Sequence, residues 1–304
     1  MEEVRFDGKV AVVTGAGGGL GKAYALLLAA RGAKVVVNDL GGSFDGEGSD
    51  ATPAQAVVDQ IKAEGGEALA NYDSVAEWES ARGIIQTAFD SYGRIDILIN
   101  NAGILRDKSL LKMELEDYHK IMQVHLDGTF YCTKAAFAYM KEQSYGRIVS
   151  TASAAGLYGN FGQVNYGAAK MGIVGMMNCV AQEGARYNIK ANTIVPTAGT
   201  RLTFTVMPEE MIGRVKPEYV APLVAWICSE QCNETATMFS AGGGYYSRAA
   251  IVEGQGVVFD PSGEISIEMI AGKMDQILSL ESAVEYASAM EQAGTVLSKT
   301  NSGS

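Results

Sequence analysis

The sequence predicts an α/β protein whose mostly parallel sheet is doubly wound, with helices on both faces. Three observations predict it. Short β-branched runs alternate with helical patterns through roughly the first 245 of 304 residues. Such alternation calls for right-handed strand–helix–strand crossovers. Glycines are numerous (36, against 6 prolines) and clustered, as in loops pressed close to a ligand. Hydrophobic residues make up 47% and charged residues 19%, enough for a large core and too apolar for intrinsic disorder.

Residues 9–14 (KVAVVT) read as a buried strand and residues 20–31 as a helix with an apolar face. Residues 34–38 (KVVVN) form the second strand. The helix over 53–64 has Pro53 in its first turn and Ala56, Val57 and Ile61 on one face. A weaker strand spans 67–72, a helix 75–92, and a strand 95–99 (IDILI) sits between Gly93 and Asn100. One long helix is predicted near 114–141, then a strand over 147–151, a helix over 163–187 and a strand over 189–195. Two segments break the rhythm. The polar loop 41–52 (GGSFDGEGSDAT) exceeds an ordinary strand-to-helix connection, and 199–216 reads as a lid. The first domain is taken as 1–245, followed by a C-terminal extension, 246–304, predicted helical over 268–289 with a frayed end.

Lys plus Arg total 24 and Asp plus Glu 35, a formal charge of −11. That argues against a broad basic footprint for nucleic acid or anionic membrane and leaves room only for a local one. No apolar run reaches the ~18–20 residues of a membrane helix, and the opening MEEVRFDGKV has no signal-peptide core. Cys132, Cys179, Cys228 and Cys232 are scattered, as in a cytosolic thiol protein. Cys228 and Cys232 have ligand-like spacing, yet His119 and His125 are far away in sequence, so no metal site is expected.

Chemistry concentrates in a few places. Between the first strand and first helix lies TGAGGGLG (residues 14–21), in which Gly15, Gly19 and Gly21 have the spacing G-x-x-x-G-x-G and Leu20 stands where the commoner dinucleotide motif has glycine. Such glycines let a pyrophosphate approach the amides at a helix N-terminus; a tight strand–helix turn is the plainer reading. Asp39, 18 residues beyond Gly21, can accept bonds from the adenosine ribose and would repel a 2′-phosphate, with no neighbouring cation to offset it. NAD is therefore favoured over NADP. Asp73 is either an adenine partner or a loop cap. Tyr166 and Lys170, four apart on a helix, share a face. An ammonium beside a phenol lowers a pKa that starts near ~10, which makes Tyr166 a general base. Ser153 lies at the mouth of the preceding strand, where its hydroxyl can hold a substrate oxygen.

Together TGxxxGxG at 14–21, NNAG at 100–103, Ser153 and Tyr166-x-x-x-Lys170 resemble the short-chain dehydrogenase/reductase family over roughly residues 6–245. The resemblance implies a seven-stranded Rossmann-type sheet and hydride transfer to or from a carbonyl carbon. It implies Tyr166 as acid/base, Ser153 orienting the reacting oxygen, Lys170 also on the nicotinamide ribose, and Asn101, Ala102 and Gly103 lining the cofactor. His125 stands where many members carry a relay asparagine; a water relay and a buried structural histidine both remain open. The family's proline–glycine reads PTAG at 196–199, and Thr200 or Thr203 could meet the carboxamide.

Longer stretches (VVNDLGG at 36–42, NNAGILRDKS at 100–109, YGNFGQVNY at 158–166, KPEYVAPLV at 216–224) are similar to the (3R)-hydroxyacyl-CoA dehydrogenase branch found in peroxisomal multifunctional enzymes. This implies NAD-dependent oxidation of a (3R)-3-hydroxyacyl-CoA. The alternatives are 17β-hydroxysteroid oxidation, reduction of a 3-oxoacyl carrier protein (normally NADPH-dependent, which Asp39 disfavours), and a silent nucleotide sensor. For acyl-CoA phosphates the candidates are Arg201, Arg214 and Lys216 or Arg106 and Lys108, with solvated surface charge as the plainer reading. Met171, Met176, Met177 and Met207 could line an acyl channel, the first three more readily packing in the core or a subunit contact. The family further implies a homodimer. With no terminal Ser-Lys-Leu-type tripeptide, the expectation is a stand-alone cytoplasmic enzyme, a peroxisomal one being the alternative.

Overall fold

The computed structural model describes residues 3–199, 210 and 213–301. The chain divides into two compact units, Met1–Arg248 and Ala249–Ser304.

In the first unit, β1 (Val10–Thr14) leads into α1 (Gly19–Ala30), then β2 (Lys34–Asn38), α2 (Thr52–Ala63), β3 (Glu67–Asn71), α3 (Trp78–Tyr92) and β4 (Ile97–Asn100). α4 (Leu115–Met122) runs through a π-helical turn, Gln123–Asp127, into α5 (Gly128–Glu142) and β5 (Gly146–Thr151). The short α6 (Ala154–Tyr158), the long α7 (Val164–Gly184), β6 (Ile189–Pro196), α8 (Ala221–Cys228), β7 (Met238–Gly242) and β8 (Tyr245–Ala249) follow. The strands form one sheet in the order β3-β2-β1-β4-β5-β6-β7-β8, parallel from β3 to β7.

Alternate residues of each central strand face opposite layers. Ala11, Val13, Val35, Val37, Ile97 and Ile99 pack with Tyr24, Leu28, Val57, Ile61, Val224 and Ile227 of α1, α2 and α8. Val10, Val12, Val36, Leu98 and Ile148 pack with Ile84, Ile85, Cys132, Met140, Ile173 and Met177 of α3, α5 and α7. Both faces are dry, which is why these strands read as continuous apolar runs. Strand order reverses between β1 and β4, so the crevice beyond their carboxyl ends is the topological switch point where ligands of such sheets bind.

The sheet has eight strands where seven were expected. Gly243 (φ 58°) and Gly244 (φ 83°) form a two-residue turn that folds β8 back beside β7. Both positions need a left-handed backbone, the requirement of a tight hairpin. The helical stretch expected near 114–141 runs without a break from Leu115 to Glu142, with one π-helical turn inside it.

The second unit contains α9 (Ile267–Ala271), α10 (Met274–Ile277) and α11 (Ala289–Asn301), and an antiparallel bridge between Glu253 and Val284. Lys299 Nζ ties α11 back to the Gln255 carbonyl at 2.8 Å. The continuous helix expected over 268–289 is not formed: two short turns occupy its first half, and the regular helix begins at Ala289. The lid expected over 199–216 falls largely outside the described residues; its ends meet where Gly199 N–H donates to Val215 O at 2.7 Å. Among the described residues no helix is long and apolar enough to cross a membrane.

Gly244→Val should destabilise the protein by about 1–2 kcal/mol in urea unfolding, the cost of a β-branched residue in the left-handed region, and Gly244→Asn by less.

Candidate active site

Thr14, at the end of β1, holds the crevice together. Its hydroxyl accepts from the N–H groups of Asn101 (3.0 Å) and Ala102 (3.1 Å), while Asn101 Nδ2 donates to the carbonyls of Thr14 and Gly15, each at 3.0 Å. The glycine loop then turns with Gly15 (φ 62°) and Gly19 (φ 52°) in the left-handed region. A Cβ on Gly15 would lie 2.8 Å from Ala102 Cα, and one on Gly21 would overlap the Gly15 carbonyl. α1 therefore starts tight against the β4 loop. Gly18 offers no side-chain cap and the first turn of α1 carries no acid, so the N–H groups of Gly19, Leu20 and Gly21 and the helix dipole are left for an external anion.

Asp39, 8% exposed, follows β2. One carboxylate oxygen accepts from Gly17 N–H (2.8 Å) and the other from Gly41 N–H (2.7 Å), so the side chain is fixed and acceptor capacity remains on both oxygens. Asp39, Leu40, Gly42, Ser43, Gly46, Asp73, Ala102, Gly103, Ile104, Lys120 and Val124 are among the walls of a groove of ≈ 610 Å³, solvent-open space included. Asp73 is held by Asn71 Nδ2 at 2.9 Å, and its backbone carbonyl by Asn38 Nδ2 at 2.8 Å. It thus has local partners and also lines the groove. The protein offers what a dinucleotide's adenosine and pyrophosphate require: a fixed carboxylate, an uncapped helix start and close-packed glycines.

On the other side of β4, Ser153 follows β5 and caps α6, its Oγ accepting from Ala155 N–H at 3.2 Å. Tyr166 and Lys170 lie on α7, and the Ser153 hydroxyl favours the ionised form of the Tyr166 phenol. Lys170, 3% exposed, donates to the Thr151 carbonyl at 2.6 Å, with Nζ 5.4 Å from the Tyr166 ring centroid. Helical spacing does bring the phenol and the amine to one face. Their acidities differ from the sequence expectation. Desolvation pushes Tyr166 up to about 12, opposed by the Ser153 hydroxyl and reinforced by Asp107. Burial pushes Lys170 down to about 7. Burial disfavours the charged form of both groups, so it opposes phenolate and ammonium alike.

His125 sits in the π-helical turn, buried, its ring edge-on to Tyr166 with centroids 5.2 Å apart. Nε2 lies 3.1 Å from Ile104 N and 2.8 Å from Ile104 O, Nδ1 has no partner, and burial first and Lys170 second hold the imidazole well below its ordinary pKa. A Cβ on Gly103 would overlap His125 Cε1, so that ring requires glycine there. The ring is thus tied to Ile104 through Nε2, with Nδ1 unpartnered beside Tyr166. Thr200 and Thr203, the carboxamide candidates, lie outside the described residues, as do Arg201 and Met207. Among the described residues no three His, Cys, Asp or Glu side chains cluster as for a metal ion.

Arg106 and Lys108 are not a free phosphate site. Arg106 pairs with Glu47 and with Asp117 (3.5 Å), and Lys108 with Asp117 (2.7 Å). The sequence reading missed Asn165, fully buried one residue before Tyr166. Its Oδ1 accepts from Tyr166 N–H (2.8 Å) and its Nδ2 donates to Arg106 O (3.1 Å). Its place just inside the start of α7 was a signal only for capping chemistry.

With this geometry, the comparisons with known proteins agree. The sequence model described as "short chain dehydrogenase" matches residues 9–209. The chain is 48% identical over 297 residues to the peroxisomal multifunctional enzyme type 2 of Drosophila melanogaster, covering 97% of this chain and 49% of that protein. It thus spans about half the length of that relative. The solved structure of the full-length fly enzyme matches with a TM-score of 0.83 and 42% identity, over 98% of this chain and 50% of that one. A crystal structure of a short chain dehydrogenase from Mycobacterium avium matches with a TM-score of 0.78 and 40% identity, over 90% of this chain and 95% of that one. The chain belongs to the short-chain dehydrogenase family. It is an oxidoreductase acting on CH–OH groups, of a family that uses NAD(H) or NADP(H).

Gly103→Ala should cost about 1–3 kcal/mol in denaturant unfolding by crowding His125, and His125→Ala in the same chain should return part of that loss.

Proposed function

We propose that the protein is an NAD-dependent dehydrogenase that oxidises a (3R)-3-hydroxyacyl-CoA to the 3-oxoacyl-CoA, working as a homodimer. The observation that carries this reading is a groove walled by Asp39 and Asp73 on one side of β4 and Tyr166 and Lys170 sharing a helix face on the other, in a chain so similar to a peroxisomal multifunctional enzyme. Asp39 supports NAD over NADP, because a fixed carboxylate repels a 2′-phosphate. Phe130 of α5 and Val164 and Met171 of α7, all exposed, support a second copy on that face.

When bound, NAD supplies the hydride acceptor. Gly15, Gly19, Leu20 and Gly21 would hold its pyrophosphate, Asp39 and Asp73 its adenosine, and Asn101, Ala102, Gly103, Tyr166 and Lys170 its nicotinamide ribose side, with Thr200 toward the carboxamide. Ser153 holds the substrate hydroxyl against Tyr166. The Tyr166 oxygen takes the hydroxyl proton as the carbonyl forms. A protonated Lys170 would favour phenolate, opposing the burial that raises the phenol. His125 keeps Ile104 and the helix turn in place beside the ring.

Tyr166→Phe should lower turnover by about 10²–10⁴-fold while leaving NAD binding nearly intact; steady-state rates with calorimetric titration check both. Asp39→Ala should narrow the preference for NAD over NADP by about tenfold or more, read as the ratio of kcat/KM values. Because oxidation needs phenolate and reduction needs phenol, oxidation should rise and reduction fall as pH is raised toward the phenol's value of about 12, read in initial-rate profiles. A panel of (3R)- and (3S)-hydroxyacyl-CoA thioesters and a 17β-hydroxysteroid with NAD tests the substrate; equal rates on both enantiomers, or steroid oxidation alone, would overturn it.

A further inference from the structure

Residues 104–108 touch three parts of the site in turn. Toward the loop after β2, Leu105 N–H donates to Phe44 O and Arg106 Nε to Asp45 O, both at 2.9 Å, and Arg106 pairs with Glu47. Gly46 (φ 88°) lies flush on this segment: a Cβ there would be 2.9 Å from Ile104 Cδ1. Toward α4, the Arg106 guanidinium lies 3.5 Å from Asp117 and 3.8 Å from Glu116. Toward α7, Arg106 O accepts from Asn165 Nδ2, Lys108 N–H donates to Gly162 O (2.9 Å), and Gln163 Nε2 donates to Asp107 Oδ2 (2.7 Å). Asn165 in turn holds the N–H of Tyr166. The loop at 43–47 is thus a strap: Ser43 and Gly46 form one wall of the groove, and its far side is fastened to a segment that ends on the catalytic helix.

We propose that Arg106 is a positioning residue that couples closure of the 43–47 strap over the cofactor's adenosine to the placement of Tyr166. This rests on the reading of the groove as the adenosine site. Arg106 is suited to it. Its side chain is 13% exposed, and a planar fork of donors can serve Asp45, Glu47 and Asp117 at once, which an ammonium point charge cannot do with fixed geometry. Around it stand Glu47, Glu116 and Asp117 with Lys108 as the second cation, so removing the guanidinium leaves like charges facing each other across the seam. Dinucleotide bound under the strap would favour the fastened arrangement, and through Asn165 that arrangement sets the first turn of α7.

The test measures NAD affinity by calorimetry, and kcat and KM, on the full chain. Glu47→Gln should weaken NAD binding about two- to fivefold, with a smaller fall in kcat, as expected for a pair exposed at one end. Arg106→Met should weaken NAD at least as much and also lower kcat about fivefold or more. The double variant should be no weaker for NAD than Arg106→Met alone, since both act through one contact. Arg106→Lys should regain part of the affinity and less of the turnover. Additive losses in the double variant, or wild-type NAD affinity in Glu47→Gln, overturn the inference, and the latter variant serves even if Arg106→Met fails to fold. Wild-type NAD affinity and turnover in Arg106→Met also overturn it, alone. A wild-type protein that binds no dinucleotide overturns the cofactor reading and the inference with it.

Discussion

The hydroxyl of Thr14 and the side chain of Asn101 join the ends of β1 and β4 where the sheet reverses its winding. A parallel sheet must part its loops at that point, because the helices that follow β1 and β4 leave toward opposite faces. Left open, the gap would expose carbonyls and amides; here Thr14 and Asn101 pair them, so the floor of the crevice is a closed hydrogen-bonded surface. The glycine loop is pressed onto that floor by the lack of a Cβ at Gly15 and Gly21. Everything that faces the crevice, from Asp39 on one side to Ser153 on the other, takes its position from strands anchored at this seam.

Two kinds of polar group are buried around it, with different costs. Asp39 accepts one backbone N–H bond on each carboxylate oxygen. Lys170 has one strong acceptor, the Thr151 carbonyl, and burial loosens its proton. The same burial that loosens the Lys170 proton also raises the Tyr166 phenol beside it, so the two shifts share one cause.

Much of this was legible in the sequence, for reasons that differ by element. β1, β2, β4, β5 and β6 are covered on both faces and so are written as apolar β-branched runs. β7 (MFSAG) and β8 (YYSRA) lack such runs, and a hairpin made by two adjacent glycines has no helical connection to announce it. In the second unit, apolar residues such as Ile267, Ile270, Met274 and Ile277 repeat at helical spacing, yet Gly272 and Lys273 interrupt the regular helix. Of the site, the residues that share a helix face or follow a strand could be placed by counting: Tyr166 with Lys170, Asp39 after β2. The direction of the Tyr166 shift could not, because burial is a property of the surroundings and not of a spacing. Arg106 showed its charge in the sequence but not the carboxylates at Glu47, Glu116 and Asp117, 59, 10 and 11 residues away, that occupy it.

The π-helical turn at Gln123–Asp127 leaves one more residue in the helix than regular winding allows. Each residue of an α-helix advances the face by about 100°, so the surplus residue rotates α4 against α5. One rod thereby serves two walls, Ile121 packing beside Ile104 and Ala169, and Cys132 and Met140 packing under the sheet with α3. Loss of any single residue from this short stretch would straighten the rod and swing one of its halves out of register, so the length of the segment, more than its composition, carries the architecture of the cleft.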